Sequence, residues 1–105
     1  MNIHNKSSVI EFGRKHSDCR EQLQLWFNDV SSMQWKKRND VKKDFVTASV
    51  IGNNRVVFNI KGNKYRLIAE MNYLKGWAFI KFIGTHAAYD AVEAETIDRY
   101  KSQRK

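Results

Sequence analysis

The sequence predicts an α+β protein: two N-terminal helices on one face of a small antiparallel β-sheet, with a short C-terminal helix. Three observations predict it. Apolar residues recur at helical spacing up to residue 33, and they alternate in short runs between 46 and 84. The turns between those runs are built from Gly, Asn and Lys. Residues 1–105 read as one domain: a helical hairpin over 1–34, a sheet over 46–85, and a helix with a tail over 86–105.

Residues 5–16 form the first expected helix, with Ser7 or Ser8 as its cap, Glu11 in its first turn, and Val9, Phe12 and His16 on one face. A second helix runs from Asp18 or Arg20 to Met33, where Leu23, Trp26, Phe27, Val30 and Met33 follow the i, i+3, i+4, i+7 rule. Cys19 at its start reads as structural. Asn39 and Asp40 can cap one or two turns within the basic run 35–45. A short strand is expected over 46–51, then a turn at Gly52-Asn53-Asn54 and a strand over 55–60 with Val56, Phe58 and Ile60 alternating. Lys61-Gly62-Asn63 turns the chain into a strand over 64–73, and Leu74-Lys75-Gly76 turns it into another over 77–84. The stretch 85–100 reads as helical at least in part. With both N-terminal helices on one sheet face, the opposite face is expected to be free.

The chain has 105 residues, 42% of them apolar and 29% charged, which excludes a disordered tail. One cysteine excludes an internal disulfide and a cysteine-based zinc site. No apolar run approaches the ~20 residues of a membrane helix, and no secretory signal is visible, so a cytoplasmic protein without a membrane partner is expected. The net charge is +8. Residues 33–85 hold eleven Lys and Arg against three acids, while the rest holds eight of each sign, so the whole excess lies in the middle of the chain. A basic excess so confined favours a polyanion-binding face over a merely solvated surface.

On the strand 64–73, Tyr65, Leu67, Ala69 and Met71 suit a core under the helices, which turns Lys64 and Arg66 to the open face. A hairpin at 74–76 brings Gly84 and His86 back beside them, with Lys61 at the neighbouring turn. A histidine, an arginine and lysines are the groups that RNA cleavage through the 2′-hydroxyl needs: proton transfer at the two oxygens and cations on the phosphate. That chemistry needs no metal and no cofactor, and Asp40, Asp44 and Glu70 are too scattered for a two-metal nuclease. The plainer readings are an exposed His86 and an Arg66 paired with Glu70.

The block RVVFNIKGNKYRLIAEMNYLKGWAFIKFIGTHAAYD, residues 55–90, resembles HigB-type toxins of the RelE superfamily, above all in VFNIKGN, NKYRLIAE and FIGTH followed by AAYD. The resemblance implies a helix–helix–sheet fold and a ribosome-dependent messenger-RNA endonuclease from a type II toxin–antitoxin module. Its partners would be the ribosome, the message and a HigA-type helix-turn-helix antitoxin, with operator DNA reached only through that complex. Arg66 falls where such toxins place a phosphate-binding strand arginine. His86 falls where they act on the leaving group, Tyr89 near a C-terminal tyrosine used in catalysis or stacking, and Lys61 and Lys64 where family lysines sit. Lys36, Lys37, Arg38, Lys42, Lys43, Arg55, Asn59 and Lys81 are the expected RNA- or ribosome-contacting set. The alternative for Tyr89 is packing of the terminal helix onto the sheet, and Trp77 and Phe79 read as sheet packing before base stacking. Two rival functions remain at this stage: a non-catalytic basic protein that binds RNA or the ribosome and arrests translation, and a DNA-binding regulator, which the lack of a recognition-helix pattern disfavours.

Overall fold

A computed structural model describes residues 1–100. In chain order they form β1 (Asn2–His4), α1 (Lys6–Lys15), a 3-10 turn (Ser17–Cys19), α2 (Arg20–Ser32), α3 (Arg38–Asp44), β2 (Ser49–Ile51), β3 (Arg55–Ile60), β4 (Tyr65–Asn72), β5 (Trp77–Thr85) and α4 (His86–Asp90). The five strands make one sheet in the order β1-β5-β4-β3-β2.

The helical stripe does what its spacing predicts. Val9 of α1 and Leu23, Trp26 and Val30 of α2 are buried against Phe58, Leu67, Ile80 and Ile83 of the sheet. Trp26 meets Phe58 edge to face with centroids 5.3 Å apart, a contact worth about 1 kcal/mol beyond the area it buries. Trp35 and Phe45 bracket α3 and pack on the same Phe58, which fixes α3 on the helical side of the sheet. Asn39 and Asp40 do not cap α3 as expected: the helix starts at Arg38 with Lys37 at its N-cap and no side-chain cap, and Asp40, within the first turn, accepts from the Lys36 backbone N–H at 2.8 Å. That bond holds the Asp40 carboxyl below the ordinary range. Cys19 is fully buried, and burial pushes its thiol up, so it is structural as expected.

Both strand turns are tight because residues at their centres accept positive φ. Asn53 and Asn54 lie at 60° and 58° in the loop between the paired Ile51 and Arg55, and Lys61 and Gly62 at 57° and 64° in the loop between the paired Ile60 and Tyr65. β3 follows with its expected limits, Arg55–Ile60.

Four further expectations change. The sheet is mixed, not antiparallel, because β1 pairs in parallel with β5, Ile3 opposite Ala78. The start of α1 is not capped by Ser7 or Ser8. Asn5 turns the chain at φ 71°, and the Ser8 hydroxyl donates back to the Asn5 carbonyl at 2.6 Å. Glu11 lies beyond the first turn and pairs with Arg14. The C-terminal helix stops at Asp90, and residues 101–105 of the expected tail lie outside the described residues.

The fourth change concerns the sheet face away from α1 and α2, which is not free. Val57, Ile68 and Phe82 point there, and Tyr89, Val92, Ala94 and Ile97 pack over them. The apolar residues of β3 thus serve two cores, one on each face. Residues 91–99 act as a strap across this second face, and Tyr100 packs against the helical-side core. Glu95 reaches the β2–β3 turn through the Gly52 N–H and the Asn53 side chain, and the Arg99 N–H bonds the Lys81 carbonyl at 3.0 Å.

Candidate functional site

Arg66 sits on β4 between Asn59 of β3 and Gly84 of β5, its direct partners in register. All three share the face that carries the strap. A side chain at position 84 would put its Cβ 2.6 Å from the Phe82 ring and 3.3 Å from the Ala88 Cβ. Glycine there lets the Phe82 ring and α4 close over the strand.

α4 begins as soon as β5 ends. The Thr85 hydroxyl accepts from the Ala88 N–H at 3.1 Å and caps it, and the His86 N–H bonds the Lys64 carbonyl at 3.0 Å. One turn on, Tyr89 lands against Arg66, with the guanidinium carbon 5.0 Å from the ring centroid. Tyr89 also tilts against the buried Phe82. Asn63, in the β3–β4 turn, accepts from Arg66 Nη2 at 2.7 Å. The Arg66 Nε is buried without a partner among the described residues. The guanidinium is therefore oriented from two sides while most of its five donors remain for a ligand oxygen.

His86 Nδ1 lies 3.1 Å from Asp90 Oδ2, one turn along α4. The carboxylate stands beside Nδ1, which makes Nε2 the ring nitrogen open to proton exchange with a substrate. Sequence reasoning named His86 and Tyr89 but missed Asp90 and Asn63. Asp90 had a signal in its i, i+4 spacing from His86, and Asn63 in the short turn before Arg66.

The expected lysines divide. Lys61 is exposed at the hairpin tip next to Asn63. Lys64 turns away from Arg66: its amine donates to Asp18, whose other oxygen accepts from the Tyr65 hydroxyl at 2.8 Å. Those bonds hold the Asp18 carboxyl low and raise the Lys64 amine. The expected open-face position of Lys64 is thereby corrected, because Asp18 on the helical side captures its charge.

The expected RNA-contacting set divides as well. Lys36, Lys37, Arg38 and Lys43 are exposed around α3, on the other side of the sheet from Arg66. Lys42 is tied down, its amine donating to the Val46 and Ala48 carbonyls at 2.8 and 2.6 Å. Arg55, expected on a binding surface, is only 5% exposed. It donates to the strap carbonyls of Ala94 and Ile97 at 2.9 and 2.6 Å and approaches Glu70 at 3.5 Å. Asn59 stays beside Arg66 and donates to the Thr47 carbonyl at 3.3 Å. Lys81 is held under the strap 3.4 Å from Asp98.

The arrangement can grip a phosphate through Arg66, move a proton through His86 and present an aromatic ring at Tyr89. Among the described residues no helix is long and apolar enough to cross a membrane. A family model described as HigB toxin, the RelE-like toxic component of a toxin–antitoxin system, matches residues 19–92. No curated protein matches the chain.

Proposed function

The chain belongs to the HigB toxin family, the RelE-like toxic component of toxin–antitoxin systems, and on that premise we propose that it is a ribosome-dependent endoribonuclease that cuts translated message. The observation that supports this reading is the convergence of Arg66, Tyr89 and the His86–Asp90 pair at one end of β4 and β5. The 2′-oxygen attacks phosphorus as the bond to the 5′-oxygen breaks, leaving a 2′,3′-cyclic phosphate and a 5′-hydroxyl. Arg66 binds the phosphate and stabilises the charge that grows on its oxygens. His86, with the Asp90 carboxylate beside its Nδ1, transfers a proton at the reacting oxygens. Tyr89 packs on the guanidinium and offers its ring edge to a neighbouring base. Lys61 adds positive charge at the rim, and Lys64 can join only by leaving Asp18.

The family implies an antitoxin partner. In our reading it is HigA-like, it carries the contact with operator DNA, and the pair works in the cytoplasm. The test is to map message 5′ ends after adding the protein to a reconstituted translation reaction, with a ribosome-free control. Ends inside codons only when ribosomes translate support the reading. Blocked translation with intact message replaces it with a non-catalytic ribosome binder, a second reading favoured by the exposed Lys36, Lys37, Arg38 and Lys43.

A further inference from the structure

The strap divides the second sheet face. Beyond it, at the start of β5, lies a patch that the cleavage reading does not use. His4, Trp77 and Phe79 stand on this face: Trp77 is opposite Asn72, and Phe79 is opposite both Glu70 of β4 and His4 of β1. The three rings form one cluster. His4 stacks on Phe79 at 4.6 Å, and Trp77 meets His4 and Phe79 edge to face at 5.2 and 5.7 Å. All three are half-buried, so the cluster meets solvent. Two amines flank it, Lys75 5.0 Å from the Trp77 centroid and Lys81 5.7 Å from that of Phe79. The acids that adjoin it are already engaged, Glu70 with Arg55 and Asp98 with Lys81. The His4 Nε2 is buried with no partner among the described residues.

Aromatic rings on a solvent-facing sheet patch with the exposed Lys75 beside them suit one ligand class, an unpaired nucleic-acid strand whose base stacks on a ring while a phosphate meets the amine. We infer that Trp77, with His4, Phe79 and Lys75, is a second RNA contact, a base-stacking platform for single-stranded RNA. It lies about 20 Å along the strands from Arg66, six residues away on β4. Lys75 belongs to an exposed turn and rests over the Trp77 ring. An incoming base takes that ring face and Lys75 moves to the adjoining phosphate. The ligand is the free strand of a message, recognised through base and phosphate without sequence readout.

The test needs no ribosome, so it stands or falls apart from message cleavage. The chain has three tryptophans, and Trp26 and Trp35 are each 3% exposed. Quenching of tryptophan fluorescence by a single-stranded oligoadenylate therefore reports Trp77. Saturable quenching by the single strand but not by a duplex is expected. Trp77→Ala should weaken binding of the labelled strand by about 5- to 150-fold, the range for losing one stacked base. Trp77→Phe should restore most of it. Lys75→Ala, in an exposed turn, should leave folding intact and lower the salt dependence by about one phosphate contact. A strand that binds without quenching, a duplex that quenches equally, or a folded Trp77→Ala protein that binds as the parent does would each overturn the platform.

Discussion

Replacing Arg55 by Ala removes the clamp that fastens the strap to the sheet. The side chain is 6% exposed and donates to two main-chain carbonyls, of Ala94 and Ile97. Hydrogen bonds from a charged donor contribute about 1.5–3 kcal/mol each. The approach to Glu70 adds little, since it is long at 3.5 Å and Glu70 is 42% exposed. Water will reach the two carbonyls once the guanidinium is gone, which returns part of the loss. The expected destabilisation is therefore about 3 kcal/mol, or about 12–20 °C in the unfolding midpoint of a domain this small. Arg55→Met keeps the packing volume and should lose less, because it leaves less of a void. The strap continues directly from α4, so the same change should loosen Tyr89 against Arg66 and speed amide exchange in residues 91–98. The assay is urea unfolding followed by hydrogen exchange at single residues. A midpoint shift corresponding to less than about 1 kcal/mol would refute the clamp. So would unfolding of the whole chain with no selective change in the strap.

Gly84→Ala should cost about 3 kcal/mol, the upper end for overpacking, because the new Cβ faces the ring of the fully buried Phe82 at 2.6 Å; thermal unfolding reads it. His86→Ala should lower the rate of message cleavage by about 100- to 10,000-fold, the usual contribution of a general acid or base, with the unfolding midpoint nearly unchanged because His86 is half-exposed. Asp18→Asn should destabilise the folded chain at neutral pH and matter progressively less in acid. The Asp18 carboxyl is held below its ordinary range by Lys64 and Tyr65, so its stabilisation is complete above that range and is lost as pH falls through the depressed value. Comparing unfolding midpoints of the two proteins between pH 7 and pH 3 checks the sign.

What the sequence made legible was local. β3, its two flanking turns and the face of Tyr65, Leu67, Ala69 and Met71 follow from alternation and from the residues that accept positive φ. Arg66 could be placed for the same reason, since its face is the complement of that core. What stayed hidden depends on contacts distant in sequence or on a single extra residue. β1 has three residues, too few for a period, and its partner lies some seventy-five positions away. The pairing of Ile68 with Phe82 but Ala69 with Ile80 leaves Lys81 as an extra residue in β5. That bulge lets Ile80 and Ile83 both enter the helical core while Phe82 turns to the strap. Strict alternation cannot do this, and the facing of Lys81 could not be read without it.

The strap explains why charge alone misassigned several cations. Its acids, Glu93, Glu95 and Asp98, follow α4 in a stretch of the chain that balances rather than adds charge. Folded back, this stretch covers part of the basic middle segment: Arg55 is enclosed by strap carbonyls, and Lys81 by Asp98. Composition counts these cations as binding charge, whereas burial turns them into fasteners. Arg66 escapes because α4 ends before the strap reaches it, and the residue laid over it is a tyrosine ring rather than a carboxylate. A guanidinium covered by Asp or Glu would carry its own counter-ion and compete with phosphate. One covered by a ring keeps its donors open and gains a wall that shields them from water. For Arg55, Lys81 and Arg66, the difference between fastening the fold and keeping donors open to an anion is therefore set by which residue of 86–98 folds onto each. That makes the sequence after β5, and not the count of lysines before it, the feature that defines the site.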